Sequence, residues 1–100
     1  MSALTQASVK PISTMREQVA EAVQAYIAAR LTAVGKPPAT LTASMNLFED
    51  GVLDSIALTG LIAAVEHATG RSIDFIDVDP EALGTVASIV EELTRVLEQL

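Results

Sequence analysis

The chain has 100 residues, of which half are hydrophobic and three are aromatic, with no cysteine and a net charge of −7. This length suits one domain with an aliphatic core, and the missing cysteines exclude a disulfide scaffold, a cysteine-ligated metal site and a cysteine nucleophile. The charge is +2 over residues 1–40 and −9 over residues 41–100, so we expect no nucleic-acid binding and an attraction to basic protein surfaces.

Residues 1–12 are small and polar, and we predict that they form a flexible extension before one domain over residues 13–100. The first residues lack the apolar stretch of a secretory signal. No run approaches the roughly 20 apolar residues that a membrane-spanning helix needs. We therefore expect a cytoplasmic protein without a membrane span.

The first predicted helix covers about residues 14–33. Thr14 and Glu17 have the spacing of a capping box, and Gly35 with the prolines of GKPPAT indicates the end of the helix. Arg30 falls on the buried side, where we expect its stem to lie on the core and its charge to reach solvent. The predicted buried stripe consists of Met15, Val19, Val23, Tyr26 and Ile27.

Residues 35–53 are predicted to form a long loop, and such loops are uncommon in small domains unless they have a function. Its apolar residues can hold it against the core, namely Leu47, Phe48, Val52 and Leu53. A second helix is predicted from Asp54-Ser55 to about Gly70, with Gly60 in its interior. Its predicted buried stripe consists of Leu58, Leu61, Ile62, Val65 and Ala68.

The remaining residues predict one short helical turn and a last helix. Asp79-Pro80 is a good N-cap and first-residue pair for a turn at about residues 80–83, and Thr85 caps the helix that follows. The predicted buried stripe of that helix is Val86, Ile89, Val90, Leu93, Leu97 and Leu100, and its predicted exposed face is Glu91, Glu92, Arg95 and Glu98. No stretch alternates as a strand does, so the sequence predicts an all-α fold, a small bundle of three or four helices.

The Asp54-Ser55 pair allows two interpretations. It can be a plain helix cap, because Asp is a good N-cap and Ser is common in a first turn. It can also be an attachment point for a phosphodiester, because helix N-termini present free N–H groups and the positive end of the helix dipole. Serine catalysis is excluded, since the sole histidine, His67, lies 12 residues along the same helix, or about 18 Å away. No acid, base and nucleophile converge, so we predict neither enzyme activity nor a metal site.

The run LFEDGVLDSIALTGLIAAVE resembles the modification site of the acyl carrier proteins, a family that includes peptidyl and D-alanyl carriers. The matching residues are Gly51, Asp54, Ser55 and Ile56, and the resemblance covers about residues 14–100. It implies that Ser55 carries a 4'-phosphopantetheine arm whose thiol holds an acyl or aminoacyl group as a thioester. Asp54 would cap the helix and help to present the serine.

Two features depart from the carriers of fatty-acid synthesis. Gly51 lies four residues before the serine, where those carriers usually have three, and the second helix is nearly uncharged. The spacing looks more like free-standing carriers of the D-alanyl type or of specialised pathways. We expect a stand-alone acyl carrier for lipid or specialised-metabolite biosynthesis. An aminoacyl, D-alanyl or peptidyl carrier is one alternative, and an unmodified helical protein–protein adaptor is the other.

The resemblance implies a phosphopantetheinyl transferase and acyl-activating enzymes, acyltransferases or synthases as partners, and we expect a monomer. On a helical wheel an uncharged strip lies opposite the buried stripe and begins beside the serine. We call it the docking strip, and it consists of Ile56, Gly60, Ala63 and His67. We predict that partners bind this strip by apolar contact, together with the loop residues Phe48, Glu49, Asp50 and Leu53.

The interior of the bundle also allows two interpretations. It can be an ordinary packed core, or it can open to admit an attached acyl chain, as happens in the family that this sequence resembles. The candidate lining residues are Leu58, Ile62, Val65, Ile76 and Leu83.

Overall fold

The computed structural model describes residues 14–37 and 41–99. This part of the chain contains three α-helices and no strand, which confirms the predicted all-α bundle. The helices are α1 (Met15–Ala33), α2 (Ser55–Thr69) and α3 (Val86–Glu98). Two short 3-10 turns, Phe75–Asp77 and Pro80–Ala82, lie between α2 and α3. The first helix packs against both of the others, and none of the described helices is long and apolar enough to cross a bilayer. The predicted extension over residues 1–12 and Leu100 lie outside the described residues.

The first helix begins and ends where its capping pattern predicts. Thr14 Oγ1 accepts a hydrogen bond from Glu17 N at 3.1 Å, and Glu17 Oε1 accepts one from Thr14 N at 3.0 Å. After the C-cap Val34, Gly35 has a φ of 82° and turns the chain away from the helix axis. The buried residues of this helix are Val19, Val23, Ile27 and Leu31, with Met15 and Tyr26 partly buried beside them.

Local caps also set the ends of the other two helices, as predicted. Asp54 is the N-cap of α2, and Gly70, with a φ of 71°, is its C-cap. Thr85 is the N-cap of α3, where its Oγ1 accepts a hydrogen bond from Ser88 N at 3.1 Å. Asp79 caps the Pro80–Ala82 turn, which confirms the short helical turn predicted there.

The buried face of α2 differs from the predicted stripe at its edges. Ala57 is buried, Leu58 is only half-buried and Ala68 is exposed. The prediction of Ala68 as a core residue was therefore wrong. Because α2 packs mainly against α1, it buries one narrow face, which consists of Ala57, Leu61, Ile62 and Val65.

The prediction that Glu92 faces water was also wrong. Glu92 is only 8% exposed, and its carboxylate accepts hydrogen bonds from Asp79 N at 2.8 Å and from Arg95 Nε at 3.0 Å. A second nitrogen of Arg95 donates to the carbonyl of Asp77 at 3.1 Å. The segment between α2 and α3 thus folds back over α3. There the carboxylate of Glu92 supplies the acceptor for the backbone N–H group of Asp79.

Candidate functional site

Ser55 is the first residue of α2, and it is exposed. Asp54 before it has an extended backbone, with φ −135° and ψ −176°. The Oδ1 atom of Asp54 accepts a hydrogen bond from Ala57 N at 2.7 Å, so the carboxylate satisfies an N–H group of the first turn. The neighbouring serine is thereby held at the open end of a helix, where another protein can reach it.

The end of the loop that leads into α2 is fixed by Leu47. Its side chain is fully buried, and its backbone N–H donates to the carbonyl of Gly84 at 2.8 Å. The carbonyl of Leu47 accepts hydrogen bonds from Val52 N at 2.9 Å and Leu53 N at 3.0 Å. Arg30 of α1 adds a hydrogen bond from Nε to the carbonyl of Val52 at 3.2 Å. These contacts fix the approach to the serine relative to all three helices.

Gly51 makes the turn within this loop possible. Its φ is 76°, a left-handed conformation that glycine adopts without a steric penalty. Gly51 N donates to the carbonyl of Phe48 at 3.2 Å, and Asp50 N donates to the carbonyl of Asn46 at 3.0 Å. The chain therefore reverses here, before it enters the helix at Ser55.

The mouth of α2 suits a phosphodiester. The first N–H groups of any α-helix lack partners within the helix, and the helix dipole places positive charge there. Asp54 satisfies one of these groups, at Ala57, and a helix N-terminus is in general a favourable place for a phosphate. An exposed hydroxyl on Ser55 beside such groups fits a covalent 4'-phosphopantetheine, whose thiol would be the only one in a chain without cysteine.

Three members of the docking strip are exposed, and one is not. Ile56 is 84% exposed, and Ala63 and His67 are exposed further along the helix. Gly60 is partly buried against Tyr26 of α1, whose Cζ atom would lie 3.0 Å from a Cβ atom placed at position 60. The space beside Gly60 is therefore filled by the side chain of Tyr26, and this member of the docking strip is not open to a partner.

The loop residues that we predicted to bind partners together with the docking strip differ in exposure. Glu49 and Asp50 are exposed, and Phe48 is 41% exposed. Leu53 is 3% exposed, so its side chain belongs to the core and not to the recognition surface. Its burial follows from the fixed turn before α2, which directs Val52 and Leu53 inward.

The residues predicted to line an acyl-chain site do not form one group. Ile62, Val65 and Leu83 are buried in the core, and Leu58 is half-buried. Ile76 is 86% exposed, so its prediction as an interior lining residue was wrong. A cavity of about 350 Å³ lies elsewhere, and it is lined by Gln24, Ala28, Leu41, Thr42, Ala43 and Val86.

Sequence reasoning missed two glutamates that hold the segment after α2. Glu66 Oε2 accepts a hydrogen bond from Ile73 N at 2.6 Å, and Glu92 Oε2 accepts one from Asp79 N at 2.8 Å. The only local signal is a glutamate placed just before a helix end or near a buried stripe. Such positions are common for solvated glutamates, so the pattern alone does not reveal these contacts.

A family model described as "Phosphopantetheine attachment site" matches residues 21–93. The chain belongs to this family of carrier proteins. The domain of this family carries a covalently attached 4'-phosphopantetheine, and its members are noncatalytic carriers of acyl or aminoacyl groups. The predicted family, cofactor and carrier function are confirmed at this level. Carriers of the family work with a phosphopantetheinyl transferase and with acyl-handling enzymes.

Among curated proteins, this carrier is similar to a D-alanyl carrier protein from Enterococcus faecalis (strain ATCC 700802 / V583). The two are 35% identical over 49 residues, which are 49% of this chain and 63% of the relative. The match thus spans less than two thirds of the relative's length. No solved structure gives a significant match to the carrier.

Proposed function

We propose that Ser55 is the attachment point of the 4'-phosphopantetheine arm and that the chain presents a thioester to partner enzymes. The observation that carries this proposal is an exposed serine at the first position of α2, behind the Asp54 cap, in a chain of the carrier family. The direct test is the intact mass after incubation with coenzyme A and a broad-specificity phosphopantetheinyl transferase. Wild type is expected to gain one arm, and Ser55→Ala is expected to gain none.

Each residue at the helix mouth has a separate task in this proposal. Ser55 Oγ gives up its proton and bonds to the phosphorus of coenzyme A that carries the pantetheine. The diphosphate bond of coenzyme A breaks in the same step, and adenosine 3',5'-diphosphate leaves. Asp54 holds the first turn through Ala57 N. Its negative charge beside a phosphate is unfavourable for a direct contact, so we assign Asp54 a positioning task. The arm, once attached, supplies the thiol that the chain itself lacks.

The proposed cargo is a small aminoacyl group of the D-alanyl type. Three observations support it over a fatty acyl chain. The chain is similar to a D-alanyl carrier protein, and its glycine lies four residues before Ser55. In addition, the residues that we predicted to line an acyl-chain site are partly buried and partly exposed. Val65 is fully buried and Ile76 points into solvent, so the predicted lining encloses no common space. Loading the modified protein with a panel of activated amino and fatty acids, followed by mass measurement of the attached group, separates the two cargoes.

We further propose that partner enzymes contact the exposed part of the docking strip. Ile56 is 84% exposed beside the serine, and Ala63 and His67 continue the strip without a formal charge. Glu49 and Asp50 in the preceding loop supply negative charge that attracts basic partner surfaces. The cytoplasmic location and the monomeric state stay predictions from the sequence.

A further inference from the structure

Two side-chain hydroxyl groups on α1 and α2 make no hydrogen bond to another residue in the described part of the chain. The threonine hydroxyls of these helices, on Thr32, Thr59 and Thr69, each donate to the backbone carbonyl four residues earlier. The hydroxyls of Ser55 and Tyr26 have no such partner among the described residues. Tyr26 is partly buried, but its oxygen is accessible to solvent. Both groups are therefore open to a ligand.

The two free hydroxyls border the docking strip on opposite sides. Tyr26 Oη lies against Gly60, which follows Ser55 by five residues, or about 7.5 Å along the helix axis and about 140° around it. The two oxygens are thus roughly 12 Å apart across the surface of α2. Between them lies Ile56, 84% exposed, and residues 55–65 contain no charged side chain. The path from one hydroxyl to the other is uncharged and partly apolar.

The 4'-phosphopantetheine arm has the length and the chemistry for this path. The carbonyl of its amide nearest the thiol is about nine bonds from the phosphorus, or roughly 11 Å away when the arm is extended. A hydrogen bond of about 2.8 Å closes the remaining gap to Tyr26 Oη. Beyond its phosphate the arm is neutral, and it alternates apolar groups with amides. Because the arm is tethered, its effective concentration at Tyr26 is high, so a single weak contact is populated.

We propose that the attached arm lies along the docking strip between its visits to partner enzymes, and that Tyr26 Oη donates a hydrogen bond to the amide carbonyl nearest the thiol. This inference rests on the proposed function. Tyr26 is then a positioning residue for the arm, and Ile56 packs against the apolar part of the arm near the phosphate. Since the arm and the partners use the same strip, a partner that docks displaces the arm and frees its thiol end.

The first test compares the protein with and without the arm by NMR, after incubation with coenzyme A and a broad-specificity phosphopantetheinyl transferase. Tyr26 is the only tyrosine of the chain, so its ring resonances need no further assignment. We expect attachment to shift these resonances and the amide resonance of Gly60. The amide of Gly70 is the control, because it lies about 15 Å further along α2 and should not shift.

Tyr26→Phe separates the hydrogen bond from the ring. It keeps the ring against Gly60 and removes a hydroxyl without a partner in the described chain, so the thermal midpoint should not fall. The readout is the chemical shift of the protons beside the thiol, relative to free pantetheine, which reports the ratio of bound to free arm. This ratio is expected to fall about fivefold in Tyr26→Phe, the factor that one net hydrogen bond contributes. Thr32→Val, which removes an exposed hydroxyl elsewhere on α1, should leave it unchanged.

Two results would overturn the contact with Tyr26. One is an attached arm whose resonances equal those of free pantetheine, and the other is an equal shift in wild type and Tyr26→Phe. In both cases wild type carries its arm, so the proposed function stands. A wild type that gains no arm overturns both proposals.

Discussion

The hydroxyl group of Tyr26 on α1 occupies the place where a side chain at Gly60 of α2 would begin. A Cβ atom at position 60 would lie 3.0 Å from Tyr26 Cζ and closer still to the hydroxyl oxygen. The missing side chain thus lets the two helices approach at this point, and the glycine is a packing residue.

We expect Gly60→Ala to destabilise the protein. Alanine gains about 1 kcal/mol of helix propensity over glycine, but the clash with Tyr26 costs about 1–3 kcal/mol. Urea unfolding measures the difference. Gly84→Ala is the control, because no atom lies within 4 Å of a Cβ atom at that position. Adding Tyr26→Phe to Gly60→Ala should recover part of the loss. A Gly60→Ala protein at least as stable as wild type contradicts this packing account.

We expect the contribution of Glu92 to the free energy of unfolding to decrease at low pH. Hydrogen bonds from Arg95, and next from Asp79 N, lower the pKa of Glu92 below its ordinary value. Because the pKa is lower in the folded state, this contribution is fully present above about pH 5 and is lost as pH falls through the folded-state pKa. Glu92→Gln should therefore be less stable than wild type at neutral pH, and the difference should shrink on acidification.

The measurement is the free energy of unfolding of wild type and Glu92→Gln between about pH 7 and pH 3. Glu21→Gln is the control for general charge effects, since Glu21 is an exposed residue of α1. Glu92→Ala should cost about 2 kcal/mol at neutral pH, because it leaves the N–H group of Asp79 without its buried acceptor. If the difference in unfolding free energy between wild type and Glu92→Gln stayed constant down to about pH 3, the ionised carboxylate of Glu92 would not stabilise the fold.

The Asp54 cap can be separated from the Asp54 charge by two substitutions. Asp54→Ala should lower the free energy of unfolding by about 1 kcal/mol, because Ala57 N loses its acceptor. Asp54→Asn retains an acceptor oxygen and should stay close to wild type. Chemical denaturation measures both. If Asp54→Asn loses as much stability as Asp54→Ala, the negative charge matters more than the cap.

Ile56→Glu tests the docking strip. The side chain is 84% exposed, so we expect unchanged stability but at least about a tenfold lower kcat/KM with the enzymes that load the arm. The same charge placed at Ala68, an exposed position near the end of α2 and outside the strip, is the control. Equal turnover of wild type and Ile56→Glu, once both carry the arm, would remove the docking strip from the account.

The helices could be predicted from the sequence because their ends depend on neighbours in the chain. The Thr14 capping box, the Asp54 cap and the glycine at position 70 are contacts within a few residues. The burial of Glu92 could not be predicted in this way, because its partner Asp79 lies 13 residues away and approaches only after the chain has folded back.

The same distinction applies to the candidate site. The placement of Ser55 at the mouth of α2 follows from local capping, and the structure agrees with it. Whether Gly60 is open to a partner depends on Tyr26 of another helix. The exposure of Ile76 depends on the two glutamates that fix the segment around it. Periodicity describes one helix at a time, so it cannot report these tertiary contacts.

The most direct measurement is the intact mass of the protein after incubation with coenzyme A and a broad-specificity phosphopantetheinyl transferase. Ser44→Ala is the matched control, because Ser44 is an exposed serine in the loop before α2. We expect wild type and Ser44→Ala each to gain one 4'-phosphopantetheine group and Ser55→Ala to gain none. An unmodified wild type, or an arm that still attaches to Ser55→Ala, would contradict it.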